Sequence, residues 1–416
     1  MYKGKPEETL ITLCLAKHSV EKGEREKARD YLFPVVASNS TNPYRQDVVA
    51  LYQSLDSLIL NSPNDRIIGV MLPLSSIKNN NNKLPAEEVL DGIKFAVDLH
   101  NASTNNRIGL LIRDTKRDSS VIESIVKEFA EIKELKSVIG PLYSDECRLA
   151  AKGLSARKIP LFSPTATDED LTTLYTYFWQ TNPNFSTRGK VMAHYVFEQE
   201  NRKKIAVIYS NEGYSSICAR SFIREFTSLG GSVILEDKYS LNNPDFGKIT
   251  NKIKSMHTMP EGVFAPVSDK KVVSDLLSAF VQAELVIPIY GNQDWFNAPG
   301  LETSSTLSNL LVFSSDYFLD FNDTAFTGLN EKFYRINGFD INRNVLYGYD
   351  AANLLIESLE IQSAIPPDGG MLRRMVFNGL HNDFSFRGSK VNSSLNIIRY
   401  QDGNYIRLTK LTLDAQ

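Results

Sequence analysis

The chain has 416 residues, enough for two or three domains that each bury a core. Its 46 Lys and Arg against 49 Asp and Glu leave a net charge of −3 and no dense basic run, which excludes the electrostatic footprint of a nucleic-acid binder. A composition of 42% hydrophobic and 10% aromatic residues excludes a disordered chain, and three widely spaced cysteines, Cys14, Cys147 and Cys218, fit neither a disulfide framework nor zinc spacing.

The first 24 residues meet Glu7 and Glu8 before a short apolar segment, and charge resumes at Lys17, so they do not read as a signal peptide. No stretch approaches the roughly 18 apolar residues of a transmembrane helix. Residues 1–62 read as helical. Apolar or small side chains recur at Leu15, Ala28, Leu32 and Val35, and Gly23 marks an interhelix turn where one helix stops and an antiparallel one starts. One such pair cannot bury its own apolar face, so either further repeats precede it, or it packs on the body, or it is part of a plain helical bundle.

From Arg66 the pattern changes to short β-rich runs alternating with amphipathic helices: "RIIGVMLPL", "PAEEVLDGIKFAVDLHN", "RIGLLIRD", "DSSVIESIVKEFAEIKEL", "KSVIGPL". In the first of these helices Val89, Ile93, Ala96 and Val97 share a face, and in the second Ile122, Ile125, Val126, Phe129 and Ile132 do. Strand, helix, strand at this spacing predicts right-handed crossovers and a parallel sheet covered on both faces. A second such series starts at "KKIAVIYS" and runs to "VIPIYGN". Between the two, a helix resumes only after Pro183. Near the end come the apolar run "LLVFSSDYF", the helix "VLYGYDAANLLIESLEI" and a tail of short antiparallel strands turning at Asp402 and Gly403.

Open parallel sheets bind ligands beyond the carboxyl ends of their strands. That rule selects "PLSSIKNNNNKLP", "GPLYSDECRL", "SPTATDEDL", "SNEGYSS", "APVSDKK" and "GNQDWF". Ser144 and Thr167 stand where helix N-caps are expected, and either capping or ligand contact accounts for them. Ser163 and Thr165 are expected to satisfy local backbone groups, with Thr165 also a candidate ligand-binding residue. Tyr143, Tyr209, Tyr214, Trp295 and Phe296 are candidates to line a cleft, with structural packing the equal alternative for Trp295. There is no glycine-rich phosphate loop, GxSxG, HExxH or His–acid cluster, so neither catalysis nor a cofactor nor a metal is expected.

The ordered set "IIGVMLPLS", "DGIKFAVDLHN", "VIGPLYSDECRLAA", "IPLFSPTATDEDL", "FWQTNPNFSTRGKVMAHYV", "KKIAVIYSNEGYS", "FTSLGGSV", "IPIYGNQDW" and "YGYDAANLL" resembles the type I periplasmic binding proteins over residues 66–416. Within them it is most similar to the leucine/isoleucine/valine-binding branch that serves ABC transporters and amino-acid-sensing receptors. The resemblance implies two Rossmann-like α/β lobes with parallel sheets, joined by three hinge crossings and closing on a small polar ligand. Lobe 1 would comprise 66–183 and about 316–378, and lobe 2 184–313 and about 379–416, behind a 1–62 segment that resembles a tetratricopeptide helix pair. Carried over by position, Ser144 matches the serine that holds an amino-acid carboxylate, Ala166 and Thr167 the residues gripping the same end, and Tyr214 a tyrosine closing over the ligand. Gln293, with Asp294 one step later, stands where the family's amino-acid binders place a glutamate for the ammonium, and Val267 or Ser268 where many have a second tyrosine.

Two function classes follow. One is a non-catalytic solute-binding component or sensor, working with an ABC transporter permease. The other is an envelope interaction scaffold similar to the lipoprotein activators of penicillin-binding proteins, with contacts through the N-terminal helices and a degenerate site. Both imply a periplasmic or cell-envelope location, with an export segment ahead of residue 1. Acids directly after Ser144 (Asp145, Glu146) and Thr167 (Asp168, Glu169, Asp170) stabilise helix starts but lower the attraction for a free carboxylate. A ligand that is neutral, cationic or otherwise not an ordinary α-amino acid is the resulting expectation.

Overall fold

A computed structural model of the chain describes residues 6–36, 38, 42–55, 66–75, 83–302, 306–321, 323–362, 364–366 and 368–413. The asparagine-rich run of the first loop, 76–82, and the expected boundary at 61–65 lie outside the described residues. The chain forms two compact units. The first comprises Met1–Thr181, Leu319–Leu372 and Gly379–His381, and the second Asn182–Phe318, Arg373–Asn378 and Asn382–Gln416.

In chain order, three helices come first: α1 (Pro6–Glu21), α2 (Arg25–Val36) and α3 (Arg45–Ser54). Then β1 (Ile67–Leu72), α4 (Pro85–Ser103), β2 (Gly109–Asp114), α5 (Ser119–Ala130), β3 (Leu135–Ile139), α6 (Ser144–Ala156), β4 (Leu161–Ser163), the single turn α7 (Leu171–Leu174) and β5 (Phe178–Gln180) follow. The strands form one parallel sheet in the order β2-β1-β3-β4-β5. All six residues of β1 are buried, as a strand covered on both faces requires. Strand β5, in "YFWQT", carries no alternation of its own and was not marked by pattern; it joins the sheet through its neighbour β4.

The second unit continues with α8 (Phe185–His194), β6 (Lys204–Ser210), α9 (Ser215–Ser228), β7 (Ser232–Tyr239), α10 (Phe246–Ser255), β8 (Gly262–Phe264), α11 (Val272–Gln282), β9 (Ile289–Gly291) and β10 (Leu311–Ser315). Two helices, α12 (Thr324–Asn337) and α13 (Arg343–Ile361), then belong to the first unit. The tail returns as β11 (Val376–Asn378) and β12 (Asp383–Ser385), an antiparallel pair, and as β13 (Ser394–Gln401) and β14 (Asn404–Thr412). The seven-stranded sheet runs β14-β13-β10-β9-β8-β6-β7, parallel except for the antiparallel β10/β13 and β13/β14 pairs. The β13–β14 hairpin turns on Asp402 and Gly403, both at positive φ, as a two-residue turn requires.

The three N-terminal helices pack on the body of the first unit. Arg29, on α2, donates to the Tyr52 hydroxyl of α3 at 2.9 Å and to Asp98 of α4 at 2.5 Å, and Tyr52 also donates to Asp98. Arg29 is almost fully buried, so its charge persists there only because a carboxylate and a phenol solvate it. Ala28 and Leu32 face inward as expected. Leu15 does not: it is 44% exposed, and the inward stripe of α1 is Thr9, Leu13, Ala16 and Ser19, one helical row away.

Helix α4 and helix α13, 240 residues later in the chain, meet backbone to backbone. A Cβ on Gly92 would lie 1.9 Å from Val345 O, and one on Gly348 would lie 1.9 Å from Val89 O. In the second unit Gly189 of α8 does the same against Cys218 O of α9, at 2.2 Å. Gly92→Ala or Gly348→Ala is expected to destabilise the protein by about 1–3 kcal/mol through forced separation of the helices. Gly328→Ala, at an exposed α12 position with open space around it, should instead stabilise by about 0.5–1 kcal/mol through helix propensity, all three read by urea denaturation.

Candidate functional site

In the first unit, the loops after the adjacent strands β3 and β4 are sewn together by their hydroxyls. Ser163 Oγ donates to Pro141 O at 2.7 Å and accepts from Ala166 N at 3.1 Å, and Thr165 Oγ1 donates to Leu142 O at 2.6 Å. Gln180 Nε2 donates to the carbonyls of Ala166 (3.2 Å) and Asp168 (2.9 Å). Ser144 Oγ accepts from Thr167 N at 3.3 Å and Asp168 N at 3.2 Å. The expectation that Ser163 and Thr165 satisfy local backbone groups therefore holds, across two loops rather than within one.

Three expectations for this unit are corrected. Neither Ser144 nor Thr167 is an N-cap: Tyr143 occupies that position for α6 and Asp170 for α7, neither with a side-chain capping bond. Ser144 is the first helical residue, so its side chain leaves the helix sideways and reaches the next loop. Ala166 does not present a free backbone, because its N–H and C=O are both bonded inside the loop. What the surface does present is the Thr167 hydroxyl, half-buried and without a hydrogen bond to the described residues, next to Ser144.

The run of acids is not a bare negative field either. Arg148 binds Asp170 at 2.8 Å and Asp168 at 3.1 Å, and Arg117 binds Asp145 at 2.8 Å while its guanidinium lies 4.0 Å from the centre of the exposed Tyr143 ring. The Arg148 hydrogen bond holds the Asp170 carboxyl below its ordinary value. Glu146 is buried and accepts from Thr115 Oγ1 at 2.6 Å, and burial pushes its carboxyl above the ordinary range despite that bond. Arg148 stands within "GPLYSDECRL" itself and Arg117 follows β2, but the charge expectation counted only the acids next to Ser144 and Thr167.

In the second unit the site residues gather around a cation that the sequence pattern did not flag. Arg188, in the first turns of α8, is 3% exposed. It donates through Nε to Pro183 O at 2.9 Å, through Nη2 to Asn182 Oδ1 at 2.9 Å, and through Nη1 to Gln293 Oε1, and it faces Asp316 at 3.4 Å. Asn184 caps α8 by accepting from Thr187 N, which sets the helix start and so the place of Arg188. One turn earlier, Phe185 stacks on Tyr214, with ring centres 4.1 Å apart and planes 8° from parallel. Tyr214 donates to Asp294 Oδ2 at 2.6 Å, and burial together with that carboxylate pushes the phenol up. Asn292 Nδ2 donates to the same oxygen at 2.9 Å. In "FSTRGKVMAH", which also carries Lys190 and His194, nothing in the sequence sets Arg188 apart as the buried cation.

Of the two readings of Trp295 the structure takes packing, not cleft lining: it is fully buried and donates through Nε1 to Ala265 O at 2.9 Å. Tyr209 is buried too, bonded to Glu236, and Phe296 stacks on Tyr405. Where a second tyrosine was considered, the buried Val267 exchanges backbone bonds with the Asn292 side chain, and Ser268 Oγ accepts from Ser215 N at the start of α9. Among the described residues no group of three or more His, Cys, Asp or Glu could hold a metal ion, and no helix is long and apolar enough to cross a membrane.

The comparisons agree with this architecture. A Leu/Ile/Val-binding protein of Citrobacter freundii is 25% identical over 142 residues, 34% of this chain and 37% of that protein's length. Among solved structures, a branched-chain amino acid ABC transporter protein from Rhodospirillum rubrum superposes with a TM-score of 0.71 at 15% identity, over 82% of this chain and 99% of its own. An ABC transporter substrate-binding protein from Desulfitobacterium hafniense in complex with Leu does so at 0.58 and 20% identity, over 82% and 99%. At these identities the structures speak for the fold alone. The family model described as periplasmic binding protein matches residues 68–373, well over half the chain. With two α/β units built on largely parallel sheets and that match, the chain belongs to the periplasmic binding protein family, whose members bind solutes rather than transform them.

Proposed function

We propose that the solute this binding protein takes, for transport or sensing, is a small polar molecule that lacks a free α-ammonium group. Taken unit by unit, the candidate contacts are Ser144, Thr167 and Tyr143 in the first, and Tyr214, Gln293 and Asp294 in the second, where Arg188 bonds to Gln293. The observation that carries the restriction is the hydrogen bond from Arg188 to Gln293. The one acceptor oxygen of Gln293 already accepts from a buried guanidinium, so its remaining lone pair lies beside a fixed positive charge and disfavours a ligand ammonium. Asp294 Oδ2 already accepts from Tyr214 and Asn292. At position 293 a buried ammonium would therefore lack the charge-assisted bond that a glutamate there would give, worth about 1.5–3 kcal/mol. A carboxylate fits better than the bare sequence suggested, because Arg117 and Arg148 offset the acids around Ser144 and Thr167.

In this reading the chain works in the periplasm or on the envelope and hands its solute to an ABC transporter permease or a receptor. A second reading, the interaction scaffold, draws support from Ser163, Thr165, Tyr214 and Gln293, all hydrogen-bonded within their own units.

A thermal-shift panel separates the possibilities. Leucine, isoleucine and valine are compared with 4-methyl-2-oxopentanoate, N-acetyl-leucine and 4-hydroxybenzoate. The largest rise in Tm is expected from an acid without the ammonium, about 2.7 kcal/mol of stabilisation at a hundred times Kd. A largest shift with leucine defeats the restriction, and no shift with any solute favours the scaffold. A second measurement is calorimetric titration of Gln293→Glu with leucine. The added carboxylate has one oxygen for Arg188 and one for an ammonium, so leucine affinity should rise about tenfold; an unchanged affinity removes position 293 from the site.

A further inference from the structure

The second unit holds another cluster of charge, apart from the candidate site. Helix α8 runs on into a π-helical turn, Tyr195–Gln199, a rare conformation frequent at functional sites. The chain behind it is tied back by bonds from Glu200 N to Tyr195 O and from Arg202 N to Val196 O, both 3.0 Å, with Asn201 between them at positive φ. Glu200 and Arg202 thereby stand at the amino ends of the parallel strands, opposite the ends whose loops carry Tyr214 and Gln293. From the sheet, Tyr290 of β9 and Arg399 of β13 both lie in register with Val312 of β10 and so share its face. The Tyr290 ring crosses Gly262 of β8, where a Cβ would come within 2.7 Å of it.

Glu200 faces two guanidiniums and holds neither closely. Arg202 Nη2 lies 3.9 Å from Glu200 Oε2 and Arg399 Nη2 lies 4.0 Å from Oε1, beyond hydrogen-bond length, while Oε1 accepts from the Tyr195 hydroxyl at 2.6 Å. Glu261 does not help, because it accepts from the backbone N–H groups of Lys203 and Lys204 at 2.5 and 3.3 Å. Three protons are left over. Arg202 Nε and Arg399 Nε are buried atoms with no acceptor among the described residues, and the same holds for the hydroxyl of Tyr290, which is 0% exposed. The Arg202 guanidinium beside that hydroxyl can only donate to it, so the phenol's own proton still lacks an acceptor.

We propose that this cluster binds a small monovalent anion, a halide or a short carboxylate, between Arg202, Arg399 and the Tyr290 hydroxyl. Every open position is a donor, and two guanidiniums face one carboxylate. A water would accept two hydrogen bonds and leave the charge uncompensated, whereas a monovalent anion supplies the acceptors and balances it. The arginine side chains are 37% and 34% exposed, so the anion reaches them from solvent. Bound there, it joins the π-turn to β9 and β13 and links the stability of this unit to the anions around it.

The test is thermal unfolding of the full chain at constant ionic strength, with chloride or formate replacing the bulky anion gluconate. A saturable rise in Tm is expected, roughly 2–4 °C at ten times the half-saturating concentration, and the anion that saturates at the lower concentration is the preferred occupant. Arg202→Gln and Tyr290→Phe should each remove that rise. In gluconate Tyr290→Phe should be no less stable than the unaltered chain, because it deletes a buried hydroxyl whose proton has no acceptor. Glu200→Gln removes the competing negative charge and should lower the half-saturating concentration about tenfold. Crystals grown in bromide should show its anomalous signal between the two guanidiniums. A rise in Tm that both variants share with the unaltered chain, or a bromide crystal with no anomalous signal at the cluster, overturns the proposal and leaves these donors to water.

Discussion

The backbone contact between α4 and α13 is the constraint on which the first unit depends. Two helices approach this closely only if neither carries a side chain at the crossing, and Gly92 and Gly348 each remove the Cβ that would strike the other's carbonyl. One helix follows the first strand and the other lies 240 residues on, so the contact obliges the chain to leave this unit after Thr181 and return at Leu319. The segment between them, joined by the tail strands β13 and β14, forms a separate sheet with two cores of its own, one on each face. The second unit repeats the device at Gly189, where α8 meets α9.

The loops at the strand ends inherit their shape from this scaffold. Adjacent parallel strands β3 and β4 deliver two loops side by side, which brings their hydroxyls, Ser163 fully buried and Thr165 and Ser144 half-buried, within reach of backbone groups of the neighbouring loop. That is why Ser163, Thr165 and Ser144 bond across loops and why Thr167 is left as the hydroxyl without an internal task. In the second unit the same accounting holds for charge. A guanidinium as buried as Arg188 must be surrounded by acceptors, and Gln293 becomes one of them. The identity of residue 293 is thus tied to the arginine behind it as much as to any ligand before it.

Much of the fold could be read before any coordinates. Period-3.6 faces at Val89, Ile93, Ala96 and Val97, or at Ile122, Ile125, Val126 and Phe129, are buried as patterned, since amphipathic periodicity is a local property. The Asp402–Gly403 turn was equally plain, because positive φ restricts the residues that can occupy it. The site was less legible. Trp295 could be read equally as a lining or a packing aromatic, because whether a loop residue points into a core or away from it depends on what packs behind it. Arg148 and Arg117 neutralise acids 20 or more residues away, and Arg188 meets Gln293 across 105 residues, distances at which linear spacing carries no information.

By itself, then, the sequence determined the alternation of strand and helix, the two α/β units behind a helical segment, the turn chemistry, and the hydroxyl-rich loops at the strand ends. All of these follow from nearest-neighbour periodicity and backbone preference, which short windows of residues contain. Only the tertiary structure decided which hydroxyl keeps a vacant hydrogen-bonding position, which charges cancel, which face of α1 turns outward, and which side chain of the "GNQDWF" loop joins the core. Those properties come from burial and from partners distant in the chain, and a polar group's chemistry is set by what surrounds it once water has been removed.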